Sequence, residues 1–214
     1  MQSFVRLLPA VLVAATGLGV STASANLINF TSNGTLSSEH LGAYTGTALY
    51  TPSGNNAATL VLTITNATAP ATGGYITAVA LAHGDNFAGI TVAMTSTSDA
   101  DFGNLAALVS APPFGSYRGG ASTSSSWTGG GNPSVGTGVN QTLTLTFSLS
   151  GTGAGLRSAG DFVGLHSNHQ DLVVRFRGMN NDGSDKVPGI LVPTPGTASL
   201  LAIGCLAASR RRRP

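Results

Sequence analysis

Charge is scarce in this sequence. Asp, Glu, Lys and Arg make up only 8% of its 214 residues. Five of the ten cationic side chains, Arg6, Arg210, Arg211, Arg212 and Arg213, lie in the terminal segments. Between residues 26 and 192 there remain Arg118, Arg157, Arg175, Arg177 and Lys186. These five cations face all eight acids, so the body carries a formal charge of −3. A nucleic-acid binder needs a basic patch to neutralise phosphates. The body has none, which excludes nucleic acid as a partner. Disorder is excluded from the other side. A disordered chain combines high charge with few β-branched residues, whereas this one is weakly charged and rich in Val, Ile and Thr.

Cysteine is almost absent too. The single residue, Cys205, lies in an apolar run near the C-terminus. The body therefore has no disulfide, no Cys-based zinc site and no Cys nucleophile, and it must stand on packing. Helical periodicity is missing between residues 26 and 187, apart from one turn's worth at 104–110. Catalytic signatures are missing as well. There is no G-x-S-x-G elbow. The acids are few, and most of them, Asp99 and Asp101 included, sit in turn-like contexts rather than as a facing pair. No catalytic residue and no cofactor is assigned, and the chain is expected not to be an enzyme.

What the sequence has in abundance is alternation. Leu143, Leu145, Phe147 and Leu149 are interleaved with Thr142, Thr144, Thr146, Ser148 and Ser150. Leu60, Leu62 and Ile64 alternate with Thr59, Val61, Thr63 and Thr65, and Leu172, Val174 and Phe176 with Val173, Arg175 and Arg177. Period two means one face buried and one face wet. Weaker strand signals lie at 27–31, 48–51, 75–83, 90–97 and 162–166. Gly, Asn, Pro and Ser clusters at 52–56, 73–74 and 129–133 supply turns. About eight antiparallel strands predict a single all-β domain over residues 26–187, a β-sandwich or jelly roll. Leu62, Leu145 and Val174 should be buried in it. Residues 122–138 read as either a long surface loop or a poorly ordered one, and 188–195 as a Pro-punctuated linker.

The two ends carry a different message. Residues 1–25 combine Arg6, an apolar run at 7–20, and Ala23-Ser24-Ala25, which fits the small-x-small rule for signal-peptide cleavage. The export machinery and signal peptidase are the partners this implies, and Asn26 becomes the mature N-terminus. At the other end, residues 196–209 form an apolar run that as a helix would cover ~21 Å, against a hydrocarbon core of ~30 Å. Arg210, Arg211, Arg212 and Arg213 then stay cytoplasmic by the positive-inside rule. That leaves the body outside, in agreement with the signal peptide.

Val192-Pro193-Thr194-Pro195-Gly196, a short apolar helix and a terminal arginine cluster together resemble the PEP-CTERM sorting signal, with Thr194 where that family has Glu. The resemblance covers about 23 residues. It implies that exosortase, a membrane cysteine protease, recognises the tail, cuts near Pro-Thr-Pro, and releases the protein to the cell surface or exopolysaccharide matrix. The body, with Trp127 and the glycine-rich stretch after it, resembles β-rich ectodomains of such proteins, which implies no defined activity.

Three groups of residues are candidates for binding. Residues 180–185 gather oxygen-bearing side chains around Gly183, with Asp182 and Asp185 as candidate Ca²⁺ ligands. The complete D-x-[DN]-x-[DN]-G-x₅-E loop is absent, and an ordinary turn is the simpler account. His166 and His169 form an H-x-x-H pair, to which His83-Gly84-Asp85 can contribute from elsewhere in the fold. No third zinc ligand is near in sequence, and polar loop histidines are the simpler account. Trp127, with Tyr117 and Phe114, can either offer a face to a sugar ring or pin the loop to the core. The chain is thus expected to be a non-catalytic surface or matrix protein. A carbohydrate-binding module is the alternative, and a secreted hydrolase a weaker third.

Overall fold

The computed structural model describes residues 25–105 and 108–193. The signal-peptide segment through Ser24, residues 106 and 107, and everything from Thr194 onward lie outside the described residues. So do both expected flanking helices. Among the described residues no helix is long and apolar enough to cross a membrane.

The strands are β1 (Asn26–Ser32), β2 (Tyr44–Pro52), β3 (Ala57–Asn66), β4 (Gly73–His83), β5 (Ile90–Thr97), β6 (Gly103–Leu105), β7 (Val109–Ser110), β8 (Ser116–Ser122), β9 (Thr142–Gly151), β10 (Leu165–His166), β11 (His169–Gln170), β12 (Leu172–Met179) and β13 (Ser184–Leu191). The expected antiparallel all-β body is present. The three alternating segments are β3, β9 and β12, and Leu62, Leu145 and Val174 are fully buried. Buried positions of β3 meet buried partners on both sides: Leu60 lies between Tyr50 and Phe147, and Leu62 between Ala48 and Leu145. Cross-strand apolar pairs of this kind are what hold a sheet's register.

In place of two separate sheets there is one hydrogen-bonded path, β5-β9-β3-β2-β1-β13-β12-β4-β8-β6. It curls until its edges nearly meet, closing most of a barrel around Phe30, Tyr44, Leu60, Leu145, Phe147, Val174 and Phe176. The bend falls within β13. Its first part pairs with β12, ending at Val173↔Pro188, and its last part pairs with β1, starting at Ser32↔Gly189. Residues 188–191, expected in the linker, therefore belong to a strand. Pro188 has no N–H to offer a ladder, and it sits where the strand changes partner. Of residues 104–110, expected as one helical turn, 104 and 105 end β6 and 109 and 110 make up β7, while 106 and 107 lie outside the described residues. Phe162 ends the 3-10 turn Ala159–Phe162 instead of opening a strand, and only Leu165–His166 of that segment is extended.

The seam lies between β5 and the β8–β6 edge. A Cβ on Gly119 would stand 2.5 Å from the Val92 carbonyl oxygen, so this position has to be glycine for the two edges to approach. A bulge at Met94/Ser96 bends β5 beside it. The side chain of Asn104 bridges the gap, its Oδ1 accepting the Met94 N–H at 2.7 Å. Asn104→Ala should therefore lower stability in urea by about 0.5–1.5 kcal/mol, the net contribution of one hydrogen bond. A loss below the error of the titration would mean the seam is held by packing alone.

A second, smaller core lies outside the barrel wall. Ala78 and Ala80 of β4, Tyr117 of β8 and Val173 of β12 are covered there by Leu105, Val109, Ala111 and Trp127. Strand β4 is consequently buried on both faces from Tyr75's neighbour Ile76 to His83.

Candidate functional site

The densest group of titratable side chains gathers where β4 ends. His83 is the last residue of β4, and its carbonyl accepts the N–H groups of Asn86 and Phe87, turning the chain sharply through Gly84 and Asp85. Opposite stands the β10–β11 hairpin. Its two-residue loop, Ser167–Asn168, has φ of +49° and +67°, the left-handed pair of a type I′ turn. The hairpin makes His166 and His169 direct cross-strand partners.

The two histidines serve different neighbours. His169 stacks on His83, with ring centroids 4.1 Å apart and planes within 7°. Its Nε2 lies 3.5 Å from Asp85 Oδ2, and His83 Nδ1 lies 3.9 Å from the same oxygen. His166 turns the other way. Its Nδ1 is 2.7 Å from Asp171 Oδ2, and its Nε2 is 3.7 Å from Asp161 Oδ1. Asp171 is fully buried and also accepts from Asn86 Nδ2 at 2.8 Å. Burial raises its carboxyl above the usual range, and the bonds from Asn86 and His166 offset only part of that rise.

His83 is held on every side. Tyr117 meets its ring edge-on at 5.4 Å. Gly115, at φ +103°, leaves room for it, since a Cβ there would come within 2.4 Å of His83 Nε2. Burial lowers the His83 pKa, and the charge of His169 lowers it further. Asp85, Asp171 and a bond to the Phe114 backbone act in the opposite sense without reversing the shift. The ring therefore favours its neutral form. Beside the group, Asp85, Asn86, Phe87, Arg157, Asp161 and His166 line a cavity of about 310 Å³. Arg157 spans its rim, 5.0 Å over the Phe87 ring, and donates to the Asn86 carbonyl at 3.2 Å.

The H-x-x-H pair and His83-Gly84-Asp85 are thus brought together, but the trio that converges is His83, Asp85 and His169. His166 belongs to a separate hydrogen-bonded set with Asp171, Asp161 and Asn86. Those last three, and Arg157, carry no signal in the sequence that ties them to this place.

The other candidates fare differently. Asp182 is exposed, in a turn at φ +59°. Asp185 is fully buried, and its oxygens accept from Ser37 Oγ, Ser38 Oγ and the backbone N–H groups of Glu39, Leu41, Gly42 and Lys186. A carboxylate so occupied has no lone pair left for Ca²⁺. Trp127 is only 3% exposed, which removes it as an open sugar platform. Ala25 opens the described residues, and Val192 and Pro193 close them. Ala23, Thr194, Pro195, Gly196, Arg210, Arg211, Arg212 and Arg213 lie outside. No known protein family, curated protein or solved structure matches this chain.

Proposed function

We propose that this chain is an exported, non-catalytic surface or matrix protein, delivered by a cleaved signal peptide and released from the membrane by exosortase-type processing at Pro193-Thr194-Pro195. One observation carries the reading: the folded body fills the interval between the two expected cuts. Strand β1 starts at Asn26, the residue after the signal-peptidase site, and β13 ends at Leu191, just before the sorting motif. The two are neighbours, with Phe30 opposite Leu191, and the Val192 N–H still donates to the Asn29 carbonyl at 3.0 Å. Pro193, which has no N–H, ends that ladder. Both cuts would therefore leave every described strand intact. The polysaccharide-binding alternative drew on Trp127, whose burial gives it no support.

The test is maturation in the native host, with a tag after Pro214 and an antiserum against the body. The surface species should react with the antiserum, lack the tag, and span Asn26 to about Pro195 by mass spectrometry. Neutral replacements of Arg210, Arg211, Arg212 and Arg213 should impair processing, because guanidinium groups resist transfer through hydrocarbon. A mature surface species that keeps the tag would overturn the sorting reading and leave a plain tail anchor.

A further inference from the structure

We propose that His83, Asp85 and His169 form a binding site for a divalent first-row transition-metal ion of the zinc class. The inference stands apart from the sorting reading and does not depend on it. One ligand atom from each of the three lies within 4.8 Å of the other two, and His83 Nδ1 and His169 Nε2 are 3.9 and 3.5 Å from Asp85 Oδ2. His83 and Asp85 are a local pair at the end of β4 and in the turn after it, and the fold brings His169 to them from β11.

The set has the chemistry of a metal centre. Two imidazoles and one carboxylate suit a borderline cation such as Zn²⁺, whereas Ca²⁺ and Mg²⁺ demand more oxygens. The carboxylate supplies the negative charge, and its side chain is 76% exposed, so an ion can reach it. His83 Nε2 lies against Gly115, and Nδ1 accepts the Asp85 N–H at 3.4 Å. Nδ1 is therefore the nitrogen that carries the lone pair, and an ion would take the place of that long, weak bond.

One adjustment is required. Near-parallel rings cannot both aim an in-plane lone pair at a single ion. His83 is locked by Tyr117 and Gly115, so His169, whose side chain is 39% exposed on a short hairpin, is the ring that turns. Three protein ligands leave a fourth position open. Asp85 also lines the cavity shared with Arg157 and Asp161, so that position has room for water or a small anion.

The test is isothermal titration of the full chain, stripped with EDTA, using Zn²⁺ alone. His169→Ala and Asp85→Asn are the test variants, both at accessible positions where the fold is not at stake, and His40→Ala is the control on an exposed histidine outside the trio. The wild type and His40→Ala should each bind one equivalent. His169→Ala and Asp85→Asn should each weaken binding by at least about 10-fold, the lower end even for an outer-sphere contact. Co²⁺ should give ligand-field absorption bands in the wild type that His169→Ala abolishes. Absence of stoichiometric Zn²⁺ binding, equal binding by both test variants, or loss of binding in His40→Ala alone would overturn the site.

Discussion

Asp185→Asn should destabilise the protein by about 2–6 kcal/mol. The segment between β1 and β2 folds around this one carboxylate. Ser37 Oγ reaches both of its oxygens, at 2.7 and 2.6 Å, and Leu41 and Gly42 each donate a backbone N–H to Oδ2 at 2.8 Å. Glu39 and Lys186 donate to Oδ1 at 3.0 and 2.7 Å. An amide in its place keeps one acceptor oxygen and turns the other into a donor. Whichever way it faces, at least two N–H groups lose their acceptor, at about 1–3 kcal/mol each.

The same carboxylate sets the acid limit of the fold. Burial raises its pKa, but the Ser37 hydroxyl and the N–H groups of Gly42, Leu41 and Glu39 lower it by more, and the net shift is downward. A group whose pKa falls on folding contributes stability above its unfolded pKa and loses that contribution as pH falls through the folded value. Wild-type stability should therefore decline below about pH 4, and Asp185→Asn should show a flatter acid limb. Urea titrations of both proteins at pH 7 and pH 3 check this. Added Ca²⁺ should not move the wild-type melting temperature. A variant as stable as the wild type, or a Ca²⁺-dependent rise, would return Asp185 to the role of metal ligand.

Strands with one wet face announce themselves. In β3 and β9 every second residue is Thr, Ser or Val facing out, and period two is plain. Strand β4 is legible as extended chain but not as doubly buried, because Ala78 and Ala80 say nothing about what covers them. β6 and β7 are too short to show any period, so 104–110 resembles a helical turn. Pro188 suggests a linker because proline rarely sits inside a sheet, and only the change of partner within β13 makes room for it. At the candidate site, His166-x-x-His169 invites a choice between strand and helix. The structure uses a two-residue hairpin whose Ser167–Asn168 loop lacks the usual glycine. The meeting of that hairpin with the end of β4 depends on Leu172 lying opposite Leu81 in the β4–β12 register, which no local pattern records. Asp185 shows the opposite error. Its neighbours Asn180, Asn181, Asp182 and Gly183 have the composition of a cation loop, while its partners come from 37–42.

Trp127→Ala should cost about 3–5 kcal/mol, the range for deleting a large buried aromatic. The indole is the lid of the second core. Beneath it lie Ala78, Ala80 and Val173, and Tyr117, Leu105 and Val109 complete the cluster. The two alanines have small side chains, which leave room for a large ring in the same cluster. Strand β12 straps the loop down. Arg175 Nη1 donates to the Trp127 carbonyl at 3.0 Å and to the Thr128 carbonyl, and Arg177 donates to the Gly130 carbonyl at 3.1 Å. Removing the ring leaves a cavity above Ala78 and Ala80 and loosens the whole Ser- and Gly-rich loop. Trp127→Phe should retain most of the stability, because the indole Nε1 has no hydrogen-bond partner among the described residues and packing carries the contact. The chain has one tryptophan, so its fluorescence reports this contact directly. Native emission should be blue-shifted and resistant to iodide, then move to the red on unfolding. A native emission already at the red limit and freely quenched, with Trp127→Ala as stable as the wild type but unable to bind a glycan, would restore the sugar-platform reading.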